Sequence, residues 1–228
     1  MPLAIFDLDN TLLAGDSDYL WGRFLGEVGA VDREAYEREN ERFYEDYREG
    51  RLDIMEFLAF SLAPLAAHAP SQLAAWHAQF MRDKIEPRIT AEALALVERH
   101  RAAGDTLMII TATNAFVTAP IAARFGIPHL IATEPERDGE RFTGRVAGTP
   151  SFREGKVERL NAWLATNGGT LDGAWFYSDS HNDLPLLQRV DHPVAVDPDA
   201  TLSAHAHAHG WPVISLLDGR APDQHRHA

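Results

Sequence analysis

The sequence predicts an α/β chain: a doubly wound parallel sheet with a helical domain inserted after its first strand. Three observations carry this expectation. Short apolar runs ending in carboxylates or hydroxyls recur along the chain, and helical patterns lie between them. One long stretch near the N-terminus breaks the alternation.

The first run, Leu3 to Phe6, reads as a buried strand that leads into Asp7-Leu8-Asp9. Residues 17–85 then depart from the pattern. Aromatic and aliphatic residues recur there at helical spacing, as in Tyr19, Leu20 and Phe24, Phe43 and Tyr47, Phe57, Leu58 and Leu62, and Trp76 and Phe80. Such stripes are expected to face a core. A helix over 90–103 stops at Gly104, because glycine readily adopts the left-handed conformation that ends a helix. The run 107–110 is a second strand, ending at Thr111, and a helix over 114–125 stops at Gly126. Residues 134–150 carry Asp138-Gly139 between β-compatible flanks and predict a hairpin. A helix over 153–167 stops at Gly168-Gly169. Strands over 174–177 and 193–196 end at Ser178-Asp179 and Asp197-Pro198. The expected organisation is an α/β core of 1–16 and 86–228 with a helical insertion of 17–85. The polar tail follows about Leu217.

Composition narrows the function. With 45% apolar and 24% charged residues, the 228-residue chain suits a water-soluble fold. No apolar run approaches the ~18–20 residues that cross a bilayer, so no membrane association is expected. The N-terminus meets carboxylates without a basic leader, which makes the cytoplasm the default location. The absence of cysteine excludes disulfides, thiolate metal sites and thiol nucleophiles. A net charge of −13 argues against nucleic acid as a partner and sets no oligomeric state.

Ligands of open parallel sheets bind beyond the carboxyl ends of the strands. Asp7 and Asp9, Thr111, Asp179 and Asp183, and Asp197 and Asp199 all fall at such ends. Asp7 and Asp9 face one site if the backbone turns after Phe6. Crowded carboxylates repel one another, and a divalent cation relieves that repulsion. A set of oxygen ligands points to Mg2+ rather than zinc.

Asp7-Leu8-Asp9-Asn10-Thr11-Leu12 resembles the first motif of the haloacid dehalogenase-like phosphatases, and Ile109-Ile110-Thr111-Ala112-Thr113 resembles the second. Gly155-Lys156 resembles the third motif, and the segment from Ser178 to Pro185 the fourth. All four occur in order, and the insertion lies where the subclass I cap of that family belongs. The resemblance implies a Rossmann-like core and a Mg2+-dependent phosphomonoester hydrolase working through an aspartyl-phosphate. Asp7 would be the nucleophile and Asp9 the general acid and base. Thr111, Ala112 and Lys156 would bind the phosphoryl group, with the N–H groups after Thr111 at a helix start. Asp7, Asp179 and the carbonyl of Asp9 would hold the metal, supported by Asn182 and Asp183.

Within the family the chain is most similar to the phosphoserine phosphatases, and it departs from them at the substrate. Asp16 stands where they carry glutamate, Ala59 where they carry a cap arginine, and Asn114 where they carry an apolar residue. Alanine cannot replace a bidentate guanidinium–carboxylate contact. Asp16 and Asn114 are therefore the candidate substrate-contacting positions. Residues 32–50 hold eight acidic residues against four arginines. The simplest expectation is a solvated helix face. Any of that charge facing the site would suit a small phosphorylated metabolite with a cationic group and no carboxylate, such as histidinol phosphate. The alternatives are a phosphoserine phosphatase and a phosphate-binding member without catalysis. His205, His207 and His209 alternate, a spacing expected to keep them apart on a helix, so no metal is assigned to them.

Overall fold

The computed structural model describes residues 2–217. The polar tail, with the histidines at 225 and 227, lies outside the described residues. In chain order the elements are β1 (Leu3–Phe6), α1 (Ser17–Glu27), α2 (Arg33–Arg48), α3 (Ile54–Ala67), α4 (Pro70–Phe80) and α5 (Ala91–Ala103). β2 (Thr106–Asn114), α6 (Ala115–Arg124), β3 (His129–Asp138), β4 (Arg141–Ala147) and α7 (Glu154–Asn167) follow. The chain continues through β5 (Trp175–Ser178), α8 (Leu184–Leu187), β6 (His192–Val196), α9 (Ala200–His209) and β7 (Val213–Ile214). The sheet order is β4-β3-β2-β1-β5-β6-β7, parallel except where β4 turns back on β3.

Central strands read as unbroken apolar runs because both of their faces are covered. Side chains alternate between two cores with the period of two that a strand imposes. Ala4 and Phe6 join one core with Leu107, Ile109 and Val194, while Leu3 and Ile5 join the other with Met108, Ile110 and Phe176. The first core also takes in Leu20, Trp21 and Phe24 of α1, Leu58 and Leu62 of α3, and Phe80 of α4. No helix among the described residues is long and apolar enough to cross a membrane.

The expected helices are present to within a residue or two, and their ends have identifiable causes. Thr90 and Asn114 accept N-cap bonds from Ala93 and Val117, and Gly104 and Gly168 take left-handed C-cap conformations. Two strands lie outside the expected set, β3 and the two-residue β7. The predicted hairpin is the outer part of β3 together with β4, turning at Gly139 with φ 59°.

Several expectations need correction. Phe43 packs as expected in a small core with Leu52 and Phe152, with Tyr47 and Phe57 against it, but these three and Tyr19 also line an open cleft. Helical spacing puts them on one face without saying whether that face meets packing or a cavity. The alternation of histidines also misled: His205 and His209 are four apart, so their rings stack on α9 at 3.9 Å.

Candidate active site

β1 is the central strand, flanked by β2 and β5, so its carboxyl end opens where the sheet order reverses. Pairing of Phe6 with Ile109 and Tyr177 sets the strand ends level, and the Asp7 N–H still bonds the Tyr177 carbonyl at 2.9 Å. The turn expected after Phe6 comes later, at Asn10, which takes φ 56°. Asp7 and Asp9 thus leave an extended segment two residues apart, and both line the cleft.

Lys156 is 3% exposed in the first turn of α7 and donates to Asp7 Oδ1 at 2.7 Å and to Asp183 Oδ2 at 2.8 Å. Ser178 donates to the same Asp183 oxygen at 2.7 Å. A glycine precedes the lysine because a Cβ at Gly155 would strike the Pro150 carbonyl. Burial pushes the Asp7 carboxyl up to about 7 even though Lys156 pulls it down. Burial opposes the charge on Lys156 itself, but Asp183 and Asp7 outweigh it and hold its pKa above the usual value.

Asp9 is clamped from both sides. Its Oδ1 accepts the Ser17 N–H at 2.6 Å and its Oδ2 the Thr113 hydroxyl at 2.7 Å. Burial, reinforced by Asp16, raises it to about 6. Thr111 is buried on the cleft and its Oγ1 accepts the Thr113 N–H at 3.2 Å. β2 runs on to Asn114, with a register shift between Ile110 and Asn114, and α6 begins at Ala115, within a residue of the expected start, so the N–H groups directly after Thr111 precede the helix rather than open it. The N–H groups near Thr111 therefore belong to an irregular strand end. Asn114 is not among the residues lining the cleft, and its Oδ1 caps α6.

The cleft, about 720 Å³ including its mouth, rises from these residues to walls of Tyr19 and Tyr44, Phe43 and Phe57, and Tyr47 and Phe152. Asp16 and Asp18 line it too, and among the described residues lining the cleft Lys156 is the sole Lys or Arg. None of the acidic residues of 32–50 lines it. Glu37, Glu39 and Asp46 instead pair on the surface with Arg33, Arg42 and Arg51. Ala59 is exposed on α3.

α2 is held over the site from below. Arg153 donates to the Gly50 carbonyl at 2.6 Å and to Asn182 Oδ1 at 3.0 Å, and Asn182 donates to the Tyr47 carbonyl at 3.3 Å. Arg153 does this from a backbone conformation of φ 49°, ψ −120° that side chains rarely adopt. Burial raises the Tyr47 hydroxyl well above its usual pKa, with Asp179, Asp183 and Asp7 adding to the effect.

Among the described residues no three His, Cys, Asp or Glu side chains form a metal cluster. The donor chemistry nonetheless fits Mg2+. The Asp9 carboxylate is already engaged by Ser17 and Thr113, leaving its main-chain carbonyl as the oxygen it can offer. Thr11 orients Asp179 by donating to its Oδ1 at 3.2 Å. Lys156 is one positive charge beside Asp7, Asp9 and Asp183, an imbalance that a hard divalent cation with oxygen ligands redresses. Asp197 and Asp199 lie off the main cleft, along a second recess that also touches Asp179 and His181. Asp199 there accepts from the N–H and the ring of His181 at 2.6 and 2.8 Å.

Thr113, Ser17, Thr11, Ser178 and Arg153 were not singled out from sequence. Thr11 and Thr113 lie inside the motif segments, and Ser17 and Arg153 carry no local signal.

The family model for haloacid dehalogenase-like hydrolases matches residues 4–188. A histidinol-phosphatase of Neisseria meningitidis serogroup C is 49% identical over 94% of this chain and 98% of its own. A crystal structure of a protein of unknown function from Bordetella pertussis Tohama I is 52% identical and superposes with a TM-score of 0.90, covering 94% of this chain and 98% of that one. A phosphoserine phosphatase carrying a phospho-aspartyl intermediate analogue shares the fold at a TM-score of 0.70 and 17% identity, over 96% of this chain and 94% of that one.

Proposed function

The chain belongs to the haloacid dehalogenase-like hydrolases and is a phosphatase, and on that premise we propose that it hydrolyses the phosphate monoester of a small amino alcohol, histidinol phosphate being the candidate, in a Mg2+-dependent reaction through an aspartyl-phosphate on Asp7. The observation that carries the substrate is the cleft itself, which joins aromatic walls to Asp16 and Asp18 and offers no guanidinium for a substrate carboxylate. The relative named a histidinol-phosphatase supports the same choice. Phosphoserine, which carries a carboxylate, fits this lining poorly.

In the first step an Asp7 oxygen bonds to phosphorus as the ester P–O bond breaks, and Asp9 gives its proton to the departing alkoxide. A carboxyl raised to about 6 keeps a usable protonated fraction near neutrality. In the second step Asp9, now a carboxylate, takes a proton from water whose oxygen bonds to phosphorus, and the Asp7–phosphoryl bond breaks. Thr111, the N–H of Ala112 and Lys156 hold the phosphoryl oxygens. When bound by Asp7, Asp179 and the Asp9 carbonyl, with Asn182 and Asp183 in support, Mg2+ supplies compensating charge for those oxygens. Residues 17–85 act as the cap of a catalytic core formed by 1–16 and 86–228.

The test is phosphate release by pure protein from L-histidinol phosphate, O-phospho-L-serine and p-nitrophenyl phosphate, with Mg2+ or EDTA. The expected result is Mg2+-dependent turnover that prefers the first ester and is abolished by Asp7→Asn. Full activity of Asp7→Asn defeats the nucleophile assignment, and a preference for phosphoserine defeats the substrate.

A further inference from the structure

Five carboxylates line the cleft, and four are already engaged. Asp7 and Asp183 share Lys156, and Asp9 is held by Ser17 and Thr113. Asp16, at the position where the family resemblance put a substrate contact, is the N-cap of α1: its Oδ1 accepts the Tyr19 N–H at 2.9 Å, and its carboxylate also takes the Asp18 N–H. Asp18 differs. It sits in the first turn of α1 and lines the cleft, and among the described residues no hydrogen bond or ion pair engages its carboxylate.

Asp18 is partly exposed on the cleft, so its carboxylate is open to a ligand there. Burial raises Asp18 well above the ordinary carboxylate range, and Asp16 and Asp9 raise it further. A cationic group of a ligand placed beside it would favour its charged form and offset those two neighbouring carboxylates. The place of Asp18 is also informative, because Ser17, the preceding residue, donates to the group that protonates the leaving oxygen. Asp18 shares the cleft with Asp9 and lies near enough for their charges to interact, so it can meet the alcohol portion of an ester that Asp9 would protonate. Aromatic pairs in the same cleft, Tyr19 with Tyr44 at 5.3 Å and Phe43 with Phe57 at 5.4 Å, supply π faces for a flat or cationic group.

We propose that Asp18, rather than Asp16, is the specificity-determining residue of this phosphatase, binding the ammonium or imidazolium group of the leaving amino alcohol. The inference rests on the substrate class given above and deepens it. A hydrogen bond to a charged group is worth about 10- to 100-fold in discrimination when its partner is left unpaired.

The experiment compares kcat/KM for L-histidinol phosphate with that for p-nitrophenyl phosphate in the wild type, Asp18→Asn and Asp16→Asn. Inhibition of p-nitrophenyl phosphate hydrolysis by free L-histidinol is measured alongside. In Asp18→Asn the ratio of the two kcat/KM values should fall about 10- to 100-fold, and inhibition by L-histidinol should weaken to match. Asp18→Ser gives the same readouts if the asparagine variant does not fold. An unchanged ratio and unchanged inhibition overturn the inference, as does a loss confined to Asp16→Asn. A wild type that cleaves p-nitrophenyl phosphate without preferring L-histidinol phosphate overturns it while leaving the phosphatase assignment intact. A wild type that cleaves neither ester defeats the catalytic assignment as well.

Discussion

Replacing Lys156 with methionine keeps the length of the side chain and removes its charge from between Asp7 and Asp183. Each contact is about 2.7 Å, and at an effective dielectric of ~20 a single pair at that distance is worth roughly 6 kcal/mol of attraction. Most of this is offset by the cost of drying the ammonium, so losing one member of a buried charged set destabilises by about 3–5 kcal/mol. The loss should also depend on pH. With Lys156 gone, the carboxyl of Asp7, already at about 7, moves higher, and below that pKa protonation caps the penalty. Above pH 7 the penalty for holding it charged grows by up to ~1.4 kcal/mol per pH unit until the pKa of the variant is reached. Urea unfolding of wild type and Lys156→Met in EDTA at pH 6 and pH 8.5 measures this directly. A variant as stable as the wild type at pH 8.5, or one equally destabilised at both pH values, would refute the reasoning.

Three further outcomes are expected. In the metal-free wild type, Asp7 and Asp9 have folded pKa values of about 7 and about 6, above their ordinary 3.8; the stability they contribute is full below pH 3.8 and lost as pH rises through 6 and 7. Mg2+ should therefore raise the thermal midpoint more at pH 7.5 than at pH 4.5, which paired melting curves would show. His77, lowered by burial, works in the opposite sense, its contribution being complete above 6.5 and lost on acidification. Thr113→Val removes a bond that holds the Asp9 pKa down. The limb of the pH–rate profile governed by Asp9 should move up by about one to two pH units. Arg153→Gly relieves about 1–3 kcal/mol of backbone strain that Arg153→Ala retains, so the glycine variant should unfold at the higher urea concentration. Both should raise KM more than they lower kcat, because Gly50 loses its tether to the core and Asn182, which holds the Tyr47 carbonyl, loses the partner that orients it.

Local chemistry made much of this molecule legible. Thr90 with Gly104, and Asn114 with Gly126, bracket helices because capping and left-handed termination act within a few residues. The runs before Asp7, Thr111 and Asp179 read as strands because both faces of the sheet are covered. β3 escaped notice because Leu130-Ile131-Ala132 is short and enclosed by Pro128 and Pro135, so its pairing with β2 decides it. The donors to Asp9 come from Ser17 and Thr113, 8 and 104 residues away, and Arg153 reaches Gly50 across 103 residues. The last two lie beyond any window along the chain, and the first has no periodic or capping signal to mark it. The aromatics of α1 to α3 share helical periodicity, and only the fold determines that Phe24 joins the main core while Phe43 and Phe57 form a small core that also walls the cleft.

The bond from Ser17 N–H to Asp9 bears on how this protein can be recombined. α1 belongs to the insertion by sequence, yet it carries a donor to Asp9, the proposed general acid, and shares its core with Phe6 and Leu8 through Trp21, Phe24 and Leu25. α4 is sewn in as well, since His77 bonds the Val117 carbonyl at 3.0 Å. A chimera cut at residues 17 and 85 would sever both seams. One cut between Val28 and Ala69 would exchange α2 and α3 alone, provided residues 63 and 66 stay small where Gly144 packs. Such a transplant would replace Phe43, Tyr47 and Phe57 while Asp18 stayed with the recipient. On the proposed reading, selection for substrate shape and selection for substrate charge then lie on separately inheritable stretches of chain.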